Sequence, residues 1–239
     1  MKAAVVVFPG SNCDHDCYHA LKHVLGVDTC FVWHKERALP DVDLVVLPGG
    51  FSYGDYLRSG AIARFSPIMA AVSEHAGRGG YTLGICNGFQ ILCETGLLPG
   101  ALVRNRSLQF RCEQVYLKVP TQDSPFTREI EPGSVIRVPI AHGEGCYFAN
   151  DESLARLQSN NQILFQYVTA DGEPTEEANP NGSLLNIAGI CNEARNVCGM
   201  MPHPERAVEP YHPNRDGLPV LEAFLEPLVS KDPVEVASS

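Results

Sequence analysis

The chain has 239 residues, of which 28 are acidic and 18 are basic, so that its formal net charge is −10. A typical domain has roughly 100–200 residues, so this length predicts one large domain. The acidic balance argues against nucleic acid as the main partner, because phosphate contacts need concentrated Lys and Arg. No apolar stretch approaches the ~18 residues of a membrane span, so we expect no membrane partner.

Nine cysteines are scattered through the chain, at positions 13, 17, 30, 86, 93, 112, 146, 191 and 198. A disulfide scaffold is usually shorter and denser in cysteine, so free and mostly buried thiols are expected. The apolar run at residues 3–8 stops at Pro9-Gly10, too early for a signal peptide. We therefore expect a cytoplasmic protein with at least one reactive thiol.

Strands and helices alternate in the first third of the chain. The pattern predicts strands at residues 3–8, 29–33, 44–47 and 81–85, and helices at residues 13–25, 61–76 and 87–95. This alternation is typical of an α/β fold, an open and mostly parallel sheet with helices on both faces. Ligands in such sheets bind at the carboxyl ends of the strands.

The middle of the chain has strand-like segments separated by loops. The pattern predicts strands at residues 113–119, 135–140, 162–167, 185–190 and 197–201, and helices at residues 152–157 and 218–228. We expect antiparallel strands added to the parallel sheet. Residues 1–230 are predicted to form the domain, and residues 231–239 a polar tail.

The strongest local motif surrounds one cysteine. It reads Gly84-Ile85-Cys86-Asn87-Gly88-Phe89-Gln90 and lies between a predicted strand and a predicted helix. Gly-x-Cys-x-Gly in this setting is the thiol counterpart of a nucleophile elbow. The N–H groups at the start of the helix favour negative charge on the sulfur. The motif therefore predicts Cys86 as a nucleophile, whereas a packed structural cysteine is the alternative.

A base and an orienting acid are predicted near the end of the chain. In Pro202-His203-Pro204-Glu205, residues i and i+2 of an extended segment point to the same side. A thiol nucleophile needs such a pair, so His203 is the candidate base and Glu205 its partner.

A third strand end carries consecutive glycines, in Pro48-Gly49-Gly50-Phe51. Backbone N–H groups in such a turn can face a developing oxyanion, although an ordinary tight turn has the same pattern. The oxyanion interpretation is favoured because the segment is predicted at the same edge of the sheet as Cys86.

Together these motifs resemble the class I, triad-type glutamine amidotransferases, which have a flavodoxin-like fold. More narrowly, the chain is similar to the glutaminase subunits of phosphoribosylformylglycinamidine synthases. That likeness covers residues 1–229 and includes residues 8–14, residues 48–60, His142-Gly143-Glu144-Gly145 and Met201-Pro202-His203-Pro204-Glu205-Arg206. The loop at residues 48–60 is its most specific part.

The resemblance implies roles for residues around the cysteine. Cys86, His203 and Glu205 would form the catalytic triad acting on L-glutamine. The oxyanion hole would be the N–H of Gly50 or Phe51 together with that of Asn87. The substrate pocket would include Gln90, Tyr53 and Asp55.

The resemblance also implies a partner, a synthase subunit with or without a small third subunit. That subunit would use the ammonia to convert formylglycinamide ribonucleotide to formylglycinamidine ribonucleotide with ATP, in de novo purine biosynthesis. The chain has no Gly-x-x-x-x-Gly-Lys-Ser/Thr phosphate loop. We therefore expect no cofactor in this chain, and ATP and magnesium on the synthase.

The sequence also allows other interpretations. Residue types that bind zinc lie near the start of the chain, at Cys13, His15, Cys17, His19 and His23. At 3.6 residues per turn, however, the cysteines form one row on a helix and the histidines form another. We therefore expect no metal. A second His-x-Glu at residues 142–144 is a rival for the triad. A stand-alone thiol hydrolase of γ-glutamyl compounds and a non-catalytic regulatory module of the same fold are the alternative functions.

Overall fold

The computed structural model describes residues 1–131 and 133–229, so the predicted tail at residues 231–239 lies outside the described residues. The strands are β1 (Lys2–Val7), β2 (Asp28–Trp33), β3 (Leu44–Leu47), β4 (Tyr81–Ile85), β5 (Ala101–Val103), β6 (Arg111–Lys118), β7 (Val135–His142), β8 (Cys146–Phe148), β9 (Ile163–Val168), β10 (Ile187–Cys191) and β11 (Val197–Met200). The α-helices are α1 (Asp14–His19), α2 (Ile68–Gly77), α3 (Asn87–Glu94), α4 (Asp151–Ser159) and α5 (Gly217–Val229).

Nine of these strands form one mixed sheet, in the order β2-β1-β3-β4-β11-β10-β9-β6-β7. The half from β2 to β11 is parallel, and the half from β11 to β7 is antiparallel. This confirms the prediction of a parallel sheet with added antiparallel strands. β5 and β8 pair in a separate two-stranded sheet.

Burial follows the position of each strand in the sheet. β3, β4 and β11 are buried at every residue, as expected for parallel strands covered on both faces. β7 alternates buried and half-buried residues, because one of its faces packs on the core. No helix among the described residues is long and apolar enough to cross a membrane.

Several element bounds differ from the predictions. The predicted helix at residues 13–25 is α1 followed by a π-helical turn at Ala20–Val24. The predicted helix at residues 61–76 begins only at Ile68, after Pro67 and a short 3₁₀ turn at Ala63–Phe65. β5 and β8 escaped prediction because three residues are too few to establish an alternation.

Candidate active site

Four chain segments meet at one edge of the sheet. β1, β3, β4 and β11 are consecutive parallel neighbours, so their carboxyl ends lie side by side. The segments that leave these ends begin at Phe8, Pro48, Cys86 and Met201 respectively. This topology brings residues that are far apart in sequence to one place, as the rule for open α/β sheets requires.

Cys86 occupies a strained turn between β4 and α3. Its backbone angles are φ 50° and ψ −105°, and its N–H donates to the Met200 carbonyl at 2.8 Å. Strain of this kind is typical of a nucleophile elbow. The flanking glycines permit the turn, because a Cβ on Gly88 would collide with the Leu47 carbonyl and one on Gly84 would lie 2.7 Å from the Gly88 backbone.

His203 and Glu205 form a buried pair directly after β11. The Nδ1 atom of His203 lies 2.6 Å from Oε1 of Glu205, and both side chains are 1% exposed. The His203 N–H donates to the Pro139 carbonyl at 2.9 Å, which anchors the turn to β7. The structure therefore brings the predicted base and acid into contact.

The charge on this pair depends on its neighbours. Burial lowers the pKa of His203, but Glu205 and the interacting thiols of Cys86 and Cys13 raise it more, so that it lies well above its usual value. An imidazole with a raised pKa holds a proton more readily. The arrangement thus favours the protonated, imidazolium form of His203.

Two of the three predicted oxyanion-hole residues fit the geometry. Asn87 is the first residue of α3, where an N–H has no partner within the helix. Gly50 donates no backbone hydrogen bond among the described residues, whereas the Phe51 N–H donates to the Gly10 carbonyl at 2.9 Å. The expectation that Phe51 supplies a donor therefore does not fit this structure, and the Gly50 alternative is favoured.

The predicted substrate-pocket residues have different surroundings. The Gln90 amide donates to the Glu144 carbonyl at 2.6 Å and accepts from the Asn87 side chain at 2.9 Å. The Tyr53 hydroxyl lies 2.7 Å from His34 Nδ1, so it ties its loop to the end of β2. Asp55 keeps one buried carboxylate oxygen without a partner.

The rival pair at residues 142–144 does not form a dyad. His142 is buried and its Nε2 lies 3.1 Å from the amide of Asn181, whereas the Glu144 carboxylate accepts from the Ser59 N–H at 3.2 Å. Burial, together with the nearby His203, lowers the pKa of His142 to about 3. A neutral histidine without a carboxylate partner is a poor candidate for the triad base.

The candidate zinc residues face opposite sides of α1. Cys13 and Cys17 are buried, whereas His15 and His23 are exposed and His19 contacts Glu209 at 2.7 Å. The two rows are therefore separated as the helical spacing predicts.

Sequence reasoning missed one neighbour of the triad. Donor atoms of Cys13, His203 and Glu205 lie within 4.8 Å of one another. Arg206 donates to Cys13 Sγ at 2.9 Å and to the Asp16 carboxylate at 3.0 Å. A metal ion beside that guanidinium would be repelled, so we interpret the cluster as an extension of the triad. The signal was present in Arg206, which directly follows the Pro-His-Pro-Glu motif.

Comparisons with known proteins agree with this site. Residues 1–217 match the family described as the CobB/CobQ-like glutamine amidotransferase domain. The phosphoribosylformylglycinamidine synthase subunit PurQ of Salinibacter ruber is 58% identical over 221 residues, which cover 92% of this chain and 94% of that relative. This chain belongs to the PurQ family. The PurQ subunit of Thermosynechococcus vestitus is 57% identical, over 94% of this chain and 96% of its own length.

Solved structures agree with membership of the PurQ family. A chain in the structure of PurLQS from Thermotoga maritima matches with a TM-score of 0.83 and 46% identity, over 95% of this chain and 98% of that one. A glutamine amidotransferase of Thermotoga maritima has a TM-score of 0.58 at 16% identity, and the match covers 97% of this chain and 85% of that one. The latter shares the fold alone.

Proposed function

We propose that this chain is the glutaminase subunit of a phosphoribosylformylglycinamidine synthase. It hydrolyses L-glutamine to glutamate and ammonia, and a synthase subunit uses that ammonia with ATP to convert formylglycinamide ribonucleotide to formylglycinamidine ribonucleotide in purine biosynthesis. The observation that carries the proposal is that Cys86 and the buried His203–Glu205 pair leave the same ends of the neighbouring parallel strands β4 and β11. The PurQ relatives at up to 58% identity support the same conclusion.

The first half of the reaction forms a thioester. The sulfur of Cys86 bonds to the side-chain amide carbon of glutamine, and the N–H groups of Gly50 and Asn87 stabilise the resulting oxyanion. His203 gives its proton to the amide nitrogen, the carbon–nitrogen bond breaks, and ammonia leaves.

The second half releases glutamate. His203, now neutral, takes a proton from water as the water oxygen attacks the thioester carbon, and the carbon–sulfur bond then breaks. The proton that His203 took from water stays with the pair formed by His203 and the freed Cys86 sulfur, which is then ready for the next glutamine. Throughout, Glu205 orients His203 through Nδ1 and stabilises its protonated form, as the acid of a triad does.

The partner is a synthase subunit, with a small third subunit, and the PurLQS relative supports this assembly.

Exposed apolar side chains flank the oxyanion turn. Phe51 is 46% exposed and stacks on Phe110 with ring centroids 6.3 Å apart, and Tyr56 and Leu57 are 85% and 80% exposed. An apolar patch beside a site whose product must pass to a partner is suited to docking.

Cofactor use and location follow from this assignment. The chain has no phosphate-binding loop of the Gly-x-x-x-x-Gly-Lys-Ser/Thr type, so ATP and magnesium are assigned to the synthase. Nine unpaired cysteines suit the reducing cytoplasm, where the proposed pathway would operate.

Glutamine hydrolysis measured with and without the synthase and its nucleotide tests the proposal. We expect turnover to rise sharply when the synthase is added, whereas a stand-alone γ-glutamyl hydrolase would be indifferent to it. Labelling with diazo-oxo-norleucine, a glutamine-like electrophile, should modify Cys86 alone among the nine cysteines. Indiscriminate labelling, or none, would favour a non-catalytic module.

A further inference from the structure

Cys13 lies beside the catalytic pair, although the mechanism above gives it no role. The residue is 3% exposed, and its Sγ lies within 4.8 Å of a ring nitrogen of His203. A Cβ placed on Gly49 would lie 2.7 Å from Cε1 of His203 and 3.0 Å from Cys13 Sγ, so the thiol and the imidazole both pack against this glycine. Cys13 and Gly49 are also joined by a backbone hydrogen bond of 3.3 Å.

A second neighbour, Arg206, also holds the Cys13 thiol in place. Arg206 donates to Cys13 Sγ at 2.9 Å, and its Nε donates to the Asp16 carboxylate at 3.0 Å. Because Arg206 follows Glu205 by one residue, the same turn that carries the triad acid also fixes the sulfur. Cys13 therefore cannot move away from His203 without breaking the bond to the guanidinium.

We propose that Cys13 is a positioning residue, whose Arg206-anchored thiol keeps the His203 imidazole oriented for thioester hydrolysis. The inference rests on the proposed function and deepens it.

The two half-reactions make different demands on this contact. Before the thioester forms, Glu205 holds the imidazole through Nδ1, and both Cys86 and Cys13 act electrostatically on the ring. Once the Cys86 sulfur is bonded to the glutamyl carbon, it no longer pairs with His203, and Cys13 is the thiol that remains against the ring. Water activation in the second half-reaction thus depends more on Cys13 than ammonia release does.

Cys13 also differs from Cys86 in chemistry. Burial raises the pKa of the Cys13 thiol, although His203 opposes this effect. A neutral thiol can accept hydrogen bonds while remaining a poor nucleophile. This explains how a second thiol can lie beside the catalytic histidine without attacking the substrate.

The test is steady-state and rapid-mixing kinetics of Cys13→Ala and Cys13→Ser in the assembled complex with the synthase. For Cys13→Ala we expect kcat and KM for glutamine to fall together, by about tenfold, because slower thioester hydrolysis becomes rate-limiting. A burst of ammonia equal to the enzyme concentration should precede the steady state. Cys13→Ser should remain within about threefold of the parent, since its hydroxyl can accept the same hydrogen bond from Arg206.

The matched control is Cys93→Ala, which removes another buried thiol, one that donates to the Pro99 carbonyl. The inference is overturned if Cys13→Ala has the kinetics of this control, or if its kcat falls with KM unchanged and without a burst. If Cys13→Ala does not fold, Arg206→Gln, which removes the donor to the sulfur, takes its place with the same expected signature. Failure of the proposed function is separate, because it would appear as glutamine hydrolysis by Cys86→Ala.

Discussion

Glu205 holds His203 through a hydrogen bond of 2.6 Å between Oε1 and Nδ1, in a site where both side chains are 1% exposed. The two residues belong to one tight turn after β11, and the His203 N–H anchors this turn to the Pro139 carbonyl of β7. Its catalytic position depends on the neighbouring strand, because Cys86 follows β4 and β4 pairs in parallel with β11.

Replacing the acid of this pair tests its effect on the base. The Glu205 carboxylate is the main neighbour that raises the pKa of His203 against the lowering effect of burial. In Glu205→Gln the pKa of His203 should fall, so the imidazolium is lost at lower pH and the alkaline limb of the kcat/KM profile moves to lower pH. We also expect kcat to decrease by about 10²–10⁴-fold.

The control for that variant is Glu209→Gln, which alters a second His–Glu contact, to His19 at 2.7 Å, outside the site. It should leave the pH profile unchanged. An alkaline limb in Glu205→Gln at the same pH as in the parent would contradict the assigned role.

Gly88 tests the close packing behind the elbow. A Cβ at this position would collide with the backbone carbonyl of Leu47, which cannot move without disturbing β3. We expect Gly88→Ala to lower the free energy of unfolding by about 1–3 kcal/mol and to reduce glutamine turnover as α3 shifts. Gly77→Ala is the matched control, because nothing lies within 4 Å of a Cβ placed at this position of α2.

Urea unfolding of both glycine variants gives the measurement. Gly77→Ala should be neutral, or more stable by up to about 1 kcal/mol, because alanine is the better helix former. Equal stability of the Gly88→Ala variant and the parent would refute the packing argument.

His142 predicts a pH dependence of stability. Its pKa is lowered to about 3 in the folded protein, mainly by burial, whereas an unfolded histidine titrates near 6.5. Between these values the unfolded chain binds the extra proton, so the stability contributed by His142 is complete above pH ~6.5 and is lost as pH falls. The slope is at most about 1.4 kcal/mol per pH unit.

Unfolding free energies between pH 4.5 and 6.5 check this expectation. His142→Asn should have a shallower dependence on pH than the parent, while His15→Asn, whose side chain is 82% exposed, should match the parent. Identical slopes for the parent and His142→Asn would mean that this histidine is not held neutral.

The proposed docking patch can be tested without altering the triad. Leu57 is 80% exposed, so Leu57→Ser should fold normally and weaken binding to the synthase, by about 1–2 kcal/mol if the side chain is buried on assembly. Phe31→Ser, on the edge strand β2, is the control because it also removes an exposed apolar side chain. Calorimetric titration with the synthase should give a weaker affinity for Leu57→Ser than for Phe31→Ser. Equal affinities of the two variants would mean that the interface lies elsewhere.

Much of the scaffold was predictable because its signals are local. β3 and β4 match their predicted bounds residue for residue, since each is a short apolar run ended by glycine, proline or the elbow. The elbow and the His-x-Glu motif likewise carry their chemistry within a few residues.

The remaining features depend on contacts between distant segments. Cys13 and Arg206 are 193 residues apart, and no spacing rule links them. Whether Gly50 or Phe51 offers a free N–H is decided by the Gly10 carbonyl, which only the folded loop brings near. The Tyr53 hydroxyl contacts His34 for a similar reason.

The most direct test of the account is the activity of Cys86→Ala in the assembled complex, assayed with glutamine and separately with ammonium chloride. We predict that glutamine-dependent amidation of formylglycinamide ribonucleotide falls by about 10⁴-fold or more, whereas ammonia-dependent amidation continues at the parent rate. Persistent glutamine-dependent activity would contradict the account.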